Sequence, residues 1–372
     1  MTTQDSSKLS KASEPPLGLS PIILGGATFS NIYNSDDDLK RNTPESTLLF
    51  ALRNGINAVD TAPYYGNSQS IIGQIISKPE FRAEFPRSSY HLLTKCGRYG
   101  PKDFDYSPER IIRSVKESCA LLGTDYLDAV YLHDVEYVAE DPDGFNKGGP
   151  SRISSDGQST GQLDPAPKTE RYAQSYGPGD DTVVLAAKTL FQLKQEGLIR
   201  RVGISGYPLG TLLRMSHLIV TQLDCPLDLV MSYACLTLQN SALSSYLPYF
   251  QAAGVVQIIS ASPLGNGLLT TRGPPDWQPA PETLRQVIKE VAKSIQTSHH
   301  LSIERISLLY SMYFPHTVIG FSSVDEVKAA LEVLEEIQNP KDASSISSAQ
   351  AIVQDALKSS GYLNWSWPSP SD

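Results

Sequence analysis

Eight short apolar runs, spaced along most of the chain and separated by amphipathic stretches, limit what this sequence can fold into. They cover residues 21–26, 56–61, 91–97, 127–133, 201–205, 227–233, 255–262 and 317–322. Between them lie helical patterns such as 108–122, 181–196 and 324–337, with Ser107, Asp181 and Ser323 placed as N-caps. Strands alternating with helices predict a parallel sheet, and runs apolar on both faces predict a sheet covered on both sides. Eight such units predict an α/β fold of the (β/α)8 TIM-barrel type in one domain, with a doubly wound sheet as the alternative.

The periodicity fails at both ends and once in the middle. Residues 1–18 are polar, and 19–339 hold the barrel pattern. Residues 140–180 are rich in Gly, Ser, Pro and Asp, which predicts a flexible insertion after the fourth strand, either neutral or a lid over the mouth. Residues 340–372 read as an extra helix, 343–360, and a tail whose Trp365 and Trp367 are apolar anchors. The tail is expected to pack over the barrel mouth or against the outer helices.

Composition narrows the function. The net charge of −9 over 372 residues argues against a nucleic-acid surface or an anionic membrane surface. No run is long enough to span a bilayer, and the first twenty residues lack an apolar signal segment. The four cysteines, Cys96, Cys119, Cys225 and Cys235, have no metal-site spacing, which suits a reduced, cytoplasmic chain that holds no metal. Strand alternation turns Cys96 away from Lys95. A small molecule is the expected partner of a monomer or a dimer.

Three strand ends carry isolated polar residues: Asp60, Lys95 and His133, with Tyr65 in the loop after the first of them. A barrel gathers strand ends on one face, so these four converge. An ammonium beside a phenol favours the phenolate, and a carboxylate can hold that ammonium in place. Lys95 is therefore expected to lower the pKa of Tyr65, Asp60 to orient Lys95, and His133 to donate to a substrate oxygen. Such a set handles protons in carbonyl–alcohol chemistry. It contains neither nucleophile nor metal cage. No GxGxxG follows any predicted strand. Small-residue turns at Gly203–Gly206, Ser262–Gly267 and Gly320–Ser323 are the remaining places for a phosphate-bearing ligand.

The motifs DTAPYYG, LLTKCGR, YLDAVYLHDVE, RVGISGYPL, SASPLGNGLL and VIGFSSVDEV, in this order, resemble the aldo-keto reductase superfamily over roughly residues 19–337. INAVDTAPYYG, GISGYP and MSYACLTLQN carry a narrower likeness to the fungal NAD-dependent D-arabinose 1-dehydrogenases and next to the plant L-galactose dehydrogenases. The resemblance implies Tyr65 as proton donor and acceptor, with Tyr64 outside the matching position. It also implies an extended dinucleotide. Gly25 and Gly26 would approach it at the first strand, with Asp60 nearby. Ser205 and Ser232 would lie near its carboxamide, Ser262, Leu264 and Gly267 at its pyrophosphate, and Gly320, Ser322 and Ser323 at its adenosine end. Many members have Asn at position 206, Gln at 232 and Tyr at 261, where this chain has Gly206, Ser232 and Ala261; the sugar-dehydrogenase branch resembles this chain there. Glu326, beside Asp325, stands where NADP-preferring members carry a cation. A carboxylate repels a 2′-phosphate and accepts from a 2′-hydroxyl, so NAD is expected over NADP, with Lys328 the nearest cation.

What the resemblance implies is NAD-dependent oxidation of an aldose at C1 to the aldonolactone. D-arabinose, L-galactose and L-fucose are the expected kind of substrate, in D-erythroascorbate biosynthesis. The alternatives are an NADPH-dependent carbonyl or aldehyde reductase and a cofactor-sensing regulatory subunit.

Overall fold

The computed structural model describes residues 15–40, 43–150, 169–340 and 342–370. Eight parallel strands close into a barrel in chain order. They are β1 (Ile22–Gly25), β2 (Ala58–Asp60), β3 (His91–Cys96), β4 (Ala129–His133), β5 (Val202–Gly206), β6 (Leu229–Tyr233), β7 (Gln257–Ala261) and β8 (Thr317–Gly320). β1 pairs with β8 through Gly25 and Gly320, so no strand edge is left open. The barrel expected from the eight apolar runs is the one observed.

Around it lie α1 (Thr43–Arg53), α2 (Ser68–Ile76), α3 (Pro108–Leu121), α4 (Pro178–Gln195), α5 (Leu209–Leu223), α6 (Leu243–Ala252), α7 (Glu282–His299), α8 (Ile303–Ser311), α9 (Val324–Gln338) and α10 (Ala343–Ser359). α3 shows why these segments are helices. Pro108 presets its first turn, and Ile111, Ser114, Val115, Ser118 and Cys119 recur at helical spacing and are buried. α10 does the same with Ala349, Val353 and Leu357, which join the α7 face formed by Leu284, Ile288 and Ile295.

Strand alternation divides the core. Ile23, Ala58, Leu93, Ala129, Tyr131, Leu229, Met231, Ile259 and Val318 fill the barrel interior. Their neighbours Leu24, Val59, Leu92, Val130, Ile204 and Val230 pack outward with the helices. Cys96 belongs to the outer set, as the alternation predicts.

Of the three expected caps, one acts as such. Ser323 accepts from Glu326 N. Ser107 precedes α3, but its hydroxyl bonds to Asp105 Oδ1 at 2.6 Å. Asp181 lies inside the first turn of α4, which begins at Pro178.

The stretch 140–180, read as flexible, is anchored at both ends, and its middle, 151–168, lies outside the described residues. Arg214, fully buried on α5, donates to Asp180 Oδ2 at 2.7 Å and Oδ1 at 2.8 Å, and also to the carbonyl of Glu140. Glu140 N donates to Asp180 Oδ1 at 2.9 Å. Composition hides this anchor because its cation comes from a helix further along the chain. The tail takes the first of its two expected courses and lies over strand ends. Residues 149–150 pair antiparallel with Trp365–Ser366, and Trp367 stacks on Tyr207 just past β5, with centroids 4.1 Å apart and planes 5° apart.

Candidate active site

Asp60, Lys95 and His133 each stand two residues beyond an interior side chain: Ala58, Leu93 and Tyr131. The alternation therefore turns all three into the barrel mouth, and all three are buried. Lys95 Nζ donates to Asp60 Oδ1 at 2.5 Å and to the carbonyl of Thr61 at 3.1 Å. Tyr65 lies above this pair, its ring centroid 4.8 Å from Lys95 Nζ. His133 meets Tyr65 edge-on at 5.7 Å and 89°. Tyr131 forms part of the floor, and the missing side chain of Gly203 makes room for its ring. The four residues expected to converge are adjacent.

Burial is the largest influence on the protonation of His133, Asp60 and Tyr65. The His133 imidazole is pushed well below its ordinary range by burial and then by the charges of Lys95 and Arg98, so the ring is neutral at neutral pH. Burial also lifts Asp60, against the pull of Lys95. Tyr65 departs from expectation. Its phenol stands well above the ordinary value, through burial and then the carboxylates of Asp60 and Asp134, with Arg98 acting the other way. The tight Lys95–Asp60 pair cancels much of the field the ammonium would cast on the phenol.

The two adjacent tyrosines have different partners. Lys95 faces Tyr65, whereas the Arg98 guanidinium lies 4.0 Å from the centroid of Tyr64, whose ring is 5.9 Å from His133. Arg98 pairs with Asp134, the residue after His133. Neither was singled out from sequence. The available signal was an acid directly after a strand-end histidine.

Apart from Asp60, the residues expected to hold a dinucleotide belong to the other arc of the barrel, from β5 round to β1. Ser205, at the end of β5, is beside His133 in register and donates to the carbonyl of Leu132 at 3.3 Å. Ser262 and Gly267 follow β7 in left-handed conformations, and Leu264 between them is half-buried. Gly25 and Gly320 face one another across the β1–β8 seam. A Cβ at Gly320, which is exposed, would meet Thr28 Cγ2 at 2.8 Å. Ser322 Oγ accepts from Asn34 Nδ2 at 3.0 Å, and Ser323 caps α9.

Gly26 is closely packed: a Cβ there would meet Ser68 Oγ at 2.8 Å and the Asp60 carbonyl at 2.9 Å. One placement differs from expectation. Ser232 shares the outward parity of Val230 and sits opposite Ser260, so it does not reach the mouth; its neighbours Met231 and Tyr233 have the inward parity. Gly206, where many relatives have Asn, has its side-chain space filled by Glu136, whose Oε2 would lie 2.3 Å from an added Cβ. The bare glycine seam, the polar Ser205 and the serines before α9 suit an extended dinucleotide, with Glu326 Oε2 already accepting from Ser322 N at 2.7 Å.

The comparisons agree with this geometry. The Aldo/keto reductase family model matches residues 21–352. D-arabinose 1-dehydrogenase of Saccharomyces cerevisiae is 30% identical over 341 residues, covering 90% of this chain and 88% of that protein. L-galactose dehydrogenase of Arabidopsis thaliana is 30% identical over 363 residues, covering 96% and 94%. Among solved structures, an aldo-keto reductase from Bacillus halodurans in its holo form shares the fold at a TM-score of 0.59 and 22% identity, covering 93% of this chain and 96% of that one. With a strand-end Asp, Lys and His and a loop Tyr on one face of a closed barrel, the chain belongs to the aldo/keto reductase family of oxidoreductases.

Proposed function

We propose that the protein oxidises an aldose at C1, with NAD as the two-electron acceptor, and forms the aldonolactone. The observation that carries this reading is the buried Lys95–Asp60 pair beneath Tyr65, with a neutral His133 edge-on to the same phenol. The two dehydrogenases of comparable length, each 30% identical, support an aldose as the substrate class. With D-arabinose as the substrate, that lactone gives the enzyme the place in D-erythroascorbate biosynthesis that the sequence resemblance implies.

In the oxidation, C1 gives up its hydrogen with the bonding electrons and the anomeric hydroxyl gives up its proton, leaving a C1 carbonyl. A bound oxidised nicotinamide supplies the acceptor for the electron pair. Tyr65 takes the proton, and neutral His133 donates to the same oxygen and orients it. The Lys95–Asp60 pair lies beneath the phenol, and burial with the carboxylates of Asp60 and Asp134 outweighs the pull of the ammonium toward the phenolate. Because burial keeps Tyr65 protonated, oxidation requires that proton to leave first and quickens as pH rises. Reduction consumes the proton and has no such need. The same observation favours a second reading, NADPH-dependent reduction of carbonyl compounds.

Glu326 and Asp325 support NAD. Both carboxylates stand at the start of α9, and Lys328 Nζ is engaged with Asp325 Oδ1 at 3.0 Å. The test is an aldose panel assayed with NAD and NADP. We expect NADH formation with D-arabinose, L-galactose or L-fucose, and Tyr65→Phe to cost on the order of 10²–10⁴-fold in kcat. Turnover confined to simple aldehydes with NADPH would move the assignment to the second reading. Full activity in Tyr65→Phe would remove Tyr65 from the proton path.

A further inference from the structure

The β3 strand runs on past Lys95 into a loop that brings a second cation to the mouth. The Arg98 guanidinium lies 4.0 Å from the ring centroid of Tyr64, 4.8 Å from that of Tyr137 and 5.2 Å from that of Phe104. Its Nη1 donates to Asp134 Oδ2, and its Nε donates to the Gly100 carbonyl at 3.4 Å. These bonds leave Arg98 Nη2 and Asp134 Oδ1 without a hydrogen-bond partner among the described residues.

Asp134 has a left-handed backbone, φ 58° and ψ 62°, without being glycine. Besides glycine, Asp and Asn enter this region most readily, and here the surroundings fix the conformation. Here the Tyr106 hydroxyl donates to the His133 carbonyl at 2.6 Å and Arg98 holds the carboxylate. The outcome is that Asp134 Oδ2 stands 3.7 Å from His133 Nε2. That separation is too long for a hydrogen bond, so the carboxylate does not serve the imidazole directly.

We propose that Asp134, held by Arg98, binds the hydroxyl on the carbon next to the reacting one: the C2 hydroxyl of an aldose, or the 2-hydroxyl of a small 2-hydroxyaldehyde. This rests on the aldose reading for the size of the substrate. The reacting oxygen belongs between Tyr65 and His133, and the Asp134 carboxylate stands 3.7 Å from His133 Nε2. A carboxylate accepts from hydroxyls, and the spare guanidinium N–H groups donate to them, so the pair can engage two neighbouring hydroxyls. A bound substrate without the 2-hydroxyl displaces water from this acceptor without replacing its hydrogen bond, and sites built this way discriminate strongly.

The test compares matched substrates. kcat/KM is measured for D-arabinose against its 2-deoxy counterpart in oxidation, and for lactaldehyde against propanal in reduction, in the wild type, Asp134→Asn and Arg98→Lys. Asn tolerates the left-handed backbone, so the first variant removes the charge and keeps the loop. The expected wild-type preference for the hydroxylated member is about 10- to 100-fold, the size of a charge-assisted hydrogen bond. Asp134→Asn should bring that ratio to within about threefold of unity, a change that a shift of the Tyr65 phenol, common to both members, does not produce, and Arg98→Lys should fall between. A wild-type ratio near one overturns the proposal even if both variants fail to fold. An equal loss on both members also overturns it, because that result assigns Asp134 to positioning His133. A large aldehyde ratio with no sugar oxidised leaves the subsite standing and refutes the aldose reading. No turnover on any of the four substrates refutes both.

Discussion

Glu136, two residues past Asp134, accepts from Tyr207 N and from the Ser369 hydroxyl, both at 3.0 Å through Oε1. Burial and then the charge of Asp134 lift its carboxyl from the ordinary 4.5 to about 8. The folded chain therefore holds a proton that the unfolded chain has released between those values, and stability falls as pH rises through that window. Glu136→Gln keeps the shape without the titration. Thermal melting followed from about pH 5 to about pH 8 should show a smaller decline in the variant than in the wild type, and equal declines would remove Glu136 from the linkage. At this scale, residues at strand ends were legible and little else was. Asp60, Lys95 and His133 could be read because each closes an apolar run. The raised Tyr65 could not, because the field at a phenol depends on how closely the neighbouring carboxylate neutralises the ammonium. Asp134 and Glu136 were hidden in a loop whose left-handed backbone no residue type announces.

All eight barrel strands were legible, since an apolar run bounded by turns survives any uncertainty about its ends. The face each residue occupies was harder to read where both faces are buried. In β6, Leu229, Val230 and Met231 are all apolar, so composition does not say which parity points inward, and Ser232 was assigned to the mouth when it faces the helices. Contacts between helices were likewise beyond a periodic pattern. Gly73 on α2 lies against the end of α3, where a Cβ would stand 1.8 Å from the Leu121 carbonyl oxygen. The nearest atoms are all backbone of Leu121 and Leu122, so no rotamer change can make room. Gly73→Ala should destabilise by about 1–3 kcal/mol or more, the usual range for overpacking. Chemical denaturation would read this as a lower midpoint, and an unchanged midpoint would show that α2 shifts freely on α3.

On the scale of the whole molecule, catalytic candidates and cofactor candidates divide the rim. β2, β3 and β4 carry the first, and the strand ends from β5 round to β1 carry the second. The C-terminal tail crosses the loops after β4 and β5. It is held there by the Trp367–Tyr207 stack, by Ser369 on Glu136, and by Gln239 Nε2, which donates to the carbonyls of Tyr362 at 2.7 Å and Trp365 at 2.9 Å. Trp367→Ala removes the one large side chain the tail buries at that point. The expected result is local release rather than loss of the barrel, so amide exchange should quicken in 145–150 and 364–370 while the strands stay protected. Unchanged exchange in both segments would show that the polar contacts alone hold the tail. The buried Arg214 has a different consequence. By binding the Glu140 carbonyl and the Asp180 carboxylate together, it closes the chain before and after 151–168 into a single fixed neck. Lengthening a loop whose ends are already joined costs only a logarithm of its length. The neck therefore stands between the chain that leaves and re-enters through it and the strand end that carries His133.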